Sequence, residues 1–487
     1  MEDAVTPLMT LQAGAALALV TGSLLAASPA SADTPTCDGQ PATIVAAPAA
    51  KAPWNTVING TPGPDVIYIP ADPSDSVYYT VNAGAGDDIV CGDGEVDADV
   101  NGGDGDDHLE VNAWNVDGGN GDDTIVSDAQ DSIEGGAGDD HITVLAAPHT
   151  TGGQPPFHWV RGGPGNDAIE GSPDSDWISD DTEHAWDHVT SDGADVIHGN
   201  GGDDVILLDG GNGTTGSPDF ADGGPGHDEI SYADSGAGVK INLATGTAVG
   251  SGGAQDHFIN NEGWVIGSSH ADTIRGTSGP DWIDGGSVRA KDTIISMGGN
   301  DHISATVGVV WAGSGDDVFD PQGSPGSGVK VHLGAGNDRA ITDGGTATVW
   351  GDAGDDSYVL RQSDEFRVKS AFYGGSGRDS VSWAAISPPL TINVKRHRAH
   401  WVMRSGEGNY PGTTRFSGVE RYRGSHGKDL FVGSARPESF AGGPGNDRMY
   451  GGGGNDVLIG GAGHDRAWGG PGHDRCHAEE RHGCESR

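Results

Sequence analysis

Residues 442–477 read GGPGNDRMY, GGGGNDVLI, GGAGHDRAW and GGPGHDRCH, four gapless copies of one nine-residue phrase with Asp447, Asp456, Asp465 and Asp474 in sixth place. A fixed short period decides the architecture before any other signal is weighed. Glycine fills the first, second and fourth places: Gly442, Gly443 and Gly445, then Gly451, Gly452 and Gly454, Gly460, Gly461 and Gly463, and Gly469, Gly470 and Gly472. Those places suit a tight turn that needs positive φ or close backbone approach. Two residues after each aspartate stands Met449, Leu458, Ala467 or Cys476, which leaves about three residues of strand with one side chain turned inward.

So short a strand cannot stand alone, but two copies make one coil of eighteen residues, with strands on two faces and glycine turns on two edges. Stacked strands sit about 4.8 Å apart, so carboxylates one coil apart face each other across a gap of that size. A calcium ion, with oxygens at about 2.3–2.6 Å, bridges such a gap, and glycine carbonyls complete its shell. The sixth-place acids are therefore read as metal ligands.

The phrase GGxGxD followed by an apolar residue resembles the RTX, or haemolysin-type, calcium-binding repeat. That resemblance implies an all-β, right-handed parallel β-roll, a solenoid in which glycine-loop carbonyls and the sixth-place aspartates of stacked turns hold several Ca²⁺ ions.

Upstream, the phrase recurs with interruptions. NGTPGPDVI brings Asp65, and AGAGDDIV, GGDGDDHL, GGNGDDTI and GGAGDDHI bring Asp88, Asp107, Asp123 and Asp140. Spacings of 16 and 17 residues between the last three predict one loaded edge and one degenerate edge. Asp167 and Asp176 return at nine residues, followed by Asp195, Asp204 and Asp228, and later by Asp272, Asp281, Asp292, Asp301, Asp317, Asp338, Asp356, Asp379 and Asp429. Glu438 holds a ligand place by position, nine residues from both Asp429 and Asp447, without the glycines. Two longer stretches copy each other: Asp228, Tyr232 and Ile241-Asn242-Leu243 match Asp379, Trp383 and Ile392-Asn393-Val394 in offset, and each leads to a Gly-Ser element, at Gly267 and Gly424. These resemble the non-ligating stretches that interrupt RTX rolls. The expected layout is a signal peptide over 1–32, a lead over 33–57, roll over 58–230, a non-ligating insert over 231–265, roll over 266–381, a basic insert over 382–423, regular repeats over 424–478 and a tail over 479–487.

With 34% hydrophobic residues and 85 glycines in 487, ordinary cores are hard to build, whereas a solenoid needs only a thin one. A formal charge of −46 opposes compaction unless cations neutralise it, and argues against nucleic acid as a partner. The run Leu11–Ala27, followed by Pro29 and Ala30-Ser31-Ala32, reads as a signal-peptide core and cleavage site, although Met1-Glu2-Asp3 lacks the usual basic residue. The mature chain is expected outside the cell, with no membrane span. Four cysteines suit that compartment; from their positions near the two ends, Cys37 is expected to pair with Cys91 and Cys476 with Cys484.

Between Lys395 and Arg436 the charge reverses. This stretch is read either as a solvated loop that offsets the acid surplus, the reading preferred here, or as an anchor for a cell-envelope polymer or acidic polysaccharide. His184 and His188 stand four apart as a zinc pair would on a helix, but acids surround them and no helical pattern does, so a solvated loop is expected. No HExxH or GxSxG motif occurs, and His227, His464 and His473 sit in variable turn places. A glycosidase needs one unique carboxylate pair in a cleft, whereas these acids are periodic. The function expected is a calcium-binding structural or adhesive surface protein and no enzyme; a polysaccharide-modifying enzyme on a β-helix and a calcium buffer without partner are the alternatives.

Overall fold

A computed structural model describes residues 34–47, 54–71, 77–128, 132–146, 158–180, 193–208, 217–250, 252–286, 289–321, 327–361, 368–405 and 408–485. The expected signal peptide and the His184/His188 pair lie outside the described residues. The chain is a parallel β-solenoid of about 18 coils with essentially no helix, apart from one short 3₁₀ turn at Val394–Arg396.

Each coil contributes one strand to each of two sheets, because each copy of the phrase supplies one strand and two copies close a coil. In the second sheet an inward column runs from Ile58 through Val81, Val100, Val116 and Ile133. It continues through Val160, Ile178, Ile206, Ile230, Val265, Ile283 and Ile303. Phe319, Ala340, Tyr358, Val381, Tyr422, Phe440, Leu458 and Cys476 complete it. The first sheet carries the facing column, with Val90, Leu109, Ile125 and Ile142 in register and fully buried. The core is therefore little more than one side chain from each sheet in every coil, and its stability comes from repetition.

The two copied inserts have one topology. Gln255–Ile259 and Lys240–Asn242 pair with Thr247–Val249 in antiparallel fashion, and the three strands slot into the first sheet between Phe220–Asp222 and Thr273–Arg275. Gly408–Ser417, Arg398–Ser405 and Thr391–Asn393 do the same between Lys369–Ser376 and Leu430–Val432. The second sheet has no matching strands there: Ile230 pairs directly with Val265, and Val381 with Tyr422. The charge-reversed stretch thus includes the hairpin of the second insert.

Disulfides join Cys37 to Cys91 and Cys476 to Cys484, as the sequence predicts, one near each end of the described chain. On the outer faces, in-register aromatics stack along the axis. Trp264, Trp282 and His302 have ring centroids 4.9 and 4.1 Å apart, and His332 lies 4.4 Å from Trp350. These rings cover one another's faces.

Candidate metal centres

The glycine turns are built by steric exclusion. Gly105 has φ +130°, and a Cβ there would lie 2.6 Å from the carbonyl carbon of Gly86 in the coil below, so no L side chain fits. The first-place glycines face a niche. At Gly135, an added Cβ would meet Asp140 Oδ2 at 2.5 Å and the Gly162 carbonyl oxygen of the next coil at 2.6 Å. The same pair, own carboxylate and next-coil carbonyl, surrounds Gly118, Gly442 and Gly451.

The aspartates themselves form ladders. In the turns leading into the first sheet, the backbone N–H of each acid donates to Oδ1 of the acid one coil on. The chain of bonds runs Asp65, Asp88, Asp107, Asp123, Asp140, Asp167, Asp195 at 2.7–2.8 Å, then to Asp219 at 3.0 Å and Asp256 at 3.4 Å. Further along the same edge, Asp272 leads to Asp292, and Asp429 leads through Asp447 and Asp465 to Glu479. The opposite edge carries Asp176, Asp204 and Asp228, then Asp281, Asp301, Asp317, Asp338, Asp356, Asp379 and Glu420. It ends with Glu438, Asp456 and Asp474. Every aspartate named from the sequence stands in one of these ladders, and nine-residue neighbours such as Asp167 and Asp176 stand on opposite edges.

With Oδ1 spent on the backbone, Oδ2 distinguishes two kinds of turn. In Asp88, Asp107, Asp123, Asp140, Asp204, Asp228, Asp317, Asp338, Asp356, Asp379, Asp447, Asp456, Asp465 and Asp474 it is buried without a hydrogen-bond partner. An unpaired carboxylate oxygen away from water is costly, and in the turns of Asp107, Asp123, Asp140, Asp204, Asp228, Asp356, Asp379, Asp447, Asp456 and Asp474 it shares its niche with a backbone carbonyl oxygen. In Asp65, Asp176, Asp272, Asp281 and Asp429 both oxygens have protein donors: Oδ2 accepts the N–H of Thr61, Ser172, Ser268, Thr277 or Ser425 at 2.6–2.9 Å. Oδ1 accepts a hydroxyl in each case.

The electrostatics follow from burial. Desolvation foremost, with neighbouring carboxylates adding, pushes Asp123, Asp140, Asp317, Asp356 and Asp447 up to about 7, and Asp204 up to about 8. Asp107 and Asp338 rise to about 6 for the same reasons. A divalent cation among them would reverse this balance. Among the described residues no group of three or more His, Cys, Asp or Glu converges as a zinc site would. One buried acid stands in each ladder turn, and backbone carbonyl oxygens lie beside it. A hard, oxygen-seeking cation of flexible coordination fits this donor set, and a nitrogen- or sulphur-seeking one does not.

Four ladder members escaped the sequence reading: Asp219, Asp256, Glu420 and Glu479. Their turns lack the glycine pattern, but the apolar residue two places on (Ala221, Phe258, Tyr422) marks the first three.

The family model of the RTX calcium-binding nonapeptide repeat, in four copies, matches residues 80–98, 159–179, 189–215, 266–287, 331–359 and 441–476. The matched segments fall on both edges of the solenoid. Comparison with curated proteins finds no match.

Proposed function

From a chain that carries RTX calcium-binding nonapeptide repeats along a parallel β-solenoid, we propose a secreted calcium-dependent scaffold whose coils close on binding several Ca²⁺ ions at the edge turns. The observation that carries this reading is the row of buried Oδ2 atoms without a hydrogen-bond donor, most of them beside a first-place glycine whose missing side chain leaves the niche open, while Asp88, Asp317 and Asp338 have Ala83, Ala312 and Leu333 in that place. Bound calcium supplies the positive charge that these oxygens lack. The ligands proposed are the sixth-place carboxylates and the carbonyls of the glycine loops, Gly442 to Gly472 among them.

Export and folding are coupled in this reading. In a low-calcium cytosol the acid-rich turns repel one another and the thin core does not hold; at millimolar external calcium, sites with dissociation constants of roughly 10⁻⁴–10⁻³ M fill. Ions that bind only the folded coils stabilise them by mass action. Among the described residues no helix is long and apolar enough to cross a membrane, and the two disulfides suit an oxidising compartment. The role proposed is structural or adhesive: a rigid rod that displays its inserts.

The test is circular dichroism of the purified chain during calcium titration and chelation. Cooperative loss of β-sheet signal on chelation, restored by calcium and not by magnesium, is expected; a spectrum indifferent to chelator refutes the reading.

A further inference from the structure

Among the described residues, six edge turns carry serine or threonine in second place: Thr61, Ser172, Ser268, Thr277, Ser425 and Ser434; Ser191 and Thr215, in the same place before Asp195 and Asp219, lie outside the described residues. None of the six has positive φ, whereas the second-place residues Gly103, Gly119, Gly136, Gly443 and Gly461 lie between +102° and +117°. The consequence is a different group at the niche. In all six turns the second-place N–H donates to the turn's own carboxylate, the sixth being Ser434 N–H to Glu438 Oε2 at 3.2 Å. In five the hydroxyl also accepts the N–H two residues on, at 2.9–3.1 Å, which locks the turn. A donor hydrogen thus occupies the carboxylate oxygen that the glycine turns leave free, and an N–H dipole aimed at that oxygen opposes a cation there.

Residue identity alone does not separate the two kinds. Asn200, Met297 and Asp352 fill second place without being glycine, yet they adopt φ +70°, +83° and +67°, and Asp204 and Asp356 in the turns of Asn200 and Asp352 keep an unpartnered Oδ2. The sign of φ at second place is what sorts the turns.

Their distribution is ordered as well. Each of the six stands first in a ladder: Asp65 before Asp88, Asp176 before Asp204, Asp272 before Asp292, Asp281 before Asp301, Asp429 before Asp447 and Glu438 before Asp456. In the preceding coil, His158 is in register with Asp176, and Gly263, whose carbonyl accepts the Trp282 N–H at 3.0 Å, stands against Asp281. Asp272 and Asp429 accept instead from the backbone of the insert residues Val239 and Leu390, and Asp65 accepts from the Thr43 hydroxyl. Beneath Glu438 lies Glu420, whose carboxylate is taken by the Asp379 N–H. In none of the six does the coil beneath offer a free carboxylate.

We propose that the six Ser/Thr turns are metal-free caps, each of which opens one ladder of calcium turns, so that ions fill only turns whose second residue has positive φ. This rests on the calcium reading above. It removes Asp65, Asp176, Asp272, Asp281, Asp429 and Glu438 from the ligand set while keeping them as the first rung against which the next turn is built.

The test is calcium bound per folded chain, by equilibrium dialysis and atomic emission, on full-length variants whose fold is checked by circular dichroism. Two cap variants, Asp429→Asn and Asp281→Asn, are compared with two ladder variants, Asp447→Asn and Asp317→Asn. The caps are expected to keep the parent's ion count and the ladder variants each to lose one or more ions. Equal losses from both pairs overturn the caps while leaving the calcium reading intact. An unchanged count in all four overturns the calcium reading and the caps with it. Ser425→Gly gives an independent check: with glycine free to take positive φ, one additional ion is expected at saturating calcium, and an unchanged count in a folded variant counts against the proposal.

Discussion

Asp123→Asn separates a calcium ligand from a purely structural carboxylate. Asp123 is 1% exposed; its Oδ1 accepts the Asp107 N–H at 2.7 Å, and its Oδ2 has no donor. The amide keeps Oδ1 and therefore the bond to the coil below, but it turns an NH₂ group into the niche and abolishes the ion there. With calcium at about 100 times a site's dissociation constant, one ion contributes about 2.7 kcal/mol, so the variant's coils should exchange amide hydrogens about 100-fold faster than the parent's. In chelator the sign reverses. Burial holds the parent's Asp123 carboxyl up at about 7, with Asp140 and Asp107 adding repulsion, so at pH 8 the neutral amide removes a buried like charge and the variant is at least as stable. The assay is hydrogen exchange with mass spectrometry on peptides spanning His108–Asn112, Thr124–Ser127 and His141–Val144, in calcium and in chelator. Equal loss of protection under both conditions would refute the argument, because it would make the carboxylate a backbone cap and nothing more.

Two further outcomes follow from the same geometry. The raised carboxyls of Asp140, Asp317, Asp356 and Asp447, about 7, and of Asp204, about 8, bind protons more tightly folded than unfolded. Their contribution to the metal-free fold is therefore complete below the ordinary carboxylate range and is lost as pH rises through about 6 to 8. Thermal melts without calcium should show a falling midpoint from pH 5 to 8.5, and calcium added near pH 6.5 in weak buffer should release protons; a flat midpoint and no proton release would contradict the assigned burial. Gly136→Ala places a Cβ 2.8 Å from the Gly119 carbonyl carbon at φ +110°, and the backbone strain alone costs about 1–2 kcal/mol. Gly63→Ala, with nothing within 4 Å, should be nearly neutral, and comparable urea midpoints for the two would show that the coil spacing is not what excludes the side chain.

Much of this protein is legible in its sequence because a solenoid is made of local rules repeated. The nine-residue period, the apolar residue two places after each acid and the glycines at the first, second and fourth places are sufficient to specify two strands to a coil, stacked acids and a thin core. The end-to-end placement of the cysteines is likewise reflected in the two disulfides. Asp219, Asp256, Glu420 and Glu479 are hidden for the converse reason: their turns have lost the glycine pattern, and only the coils above and below hold them in line.

Tertiary structure alone decided three things. It placed both inserts in the first sheet as antiparallel strands while the second sheet passed straight on, a matter of which edges meet and not of pattern. It sorted acids that look alike in the sequence into carboxylates capped by a Ser or Thr N–H and carboxylates left open, because that difference lies in the sign of one backbone φ. It also set each capped turn at the start of a ladder. Glycine allows either sign, and Asn200, Met297 and Asp352 take the positive one against their preference. A short sequence window specifies what each turn is able to do; the coil stacked on it determines which of those conformations it keeps.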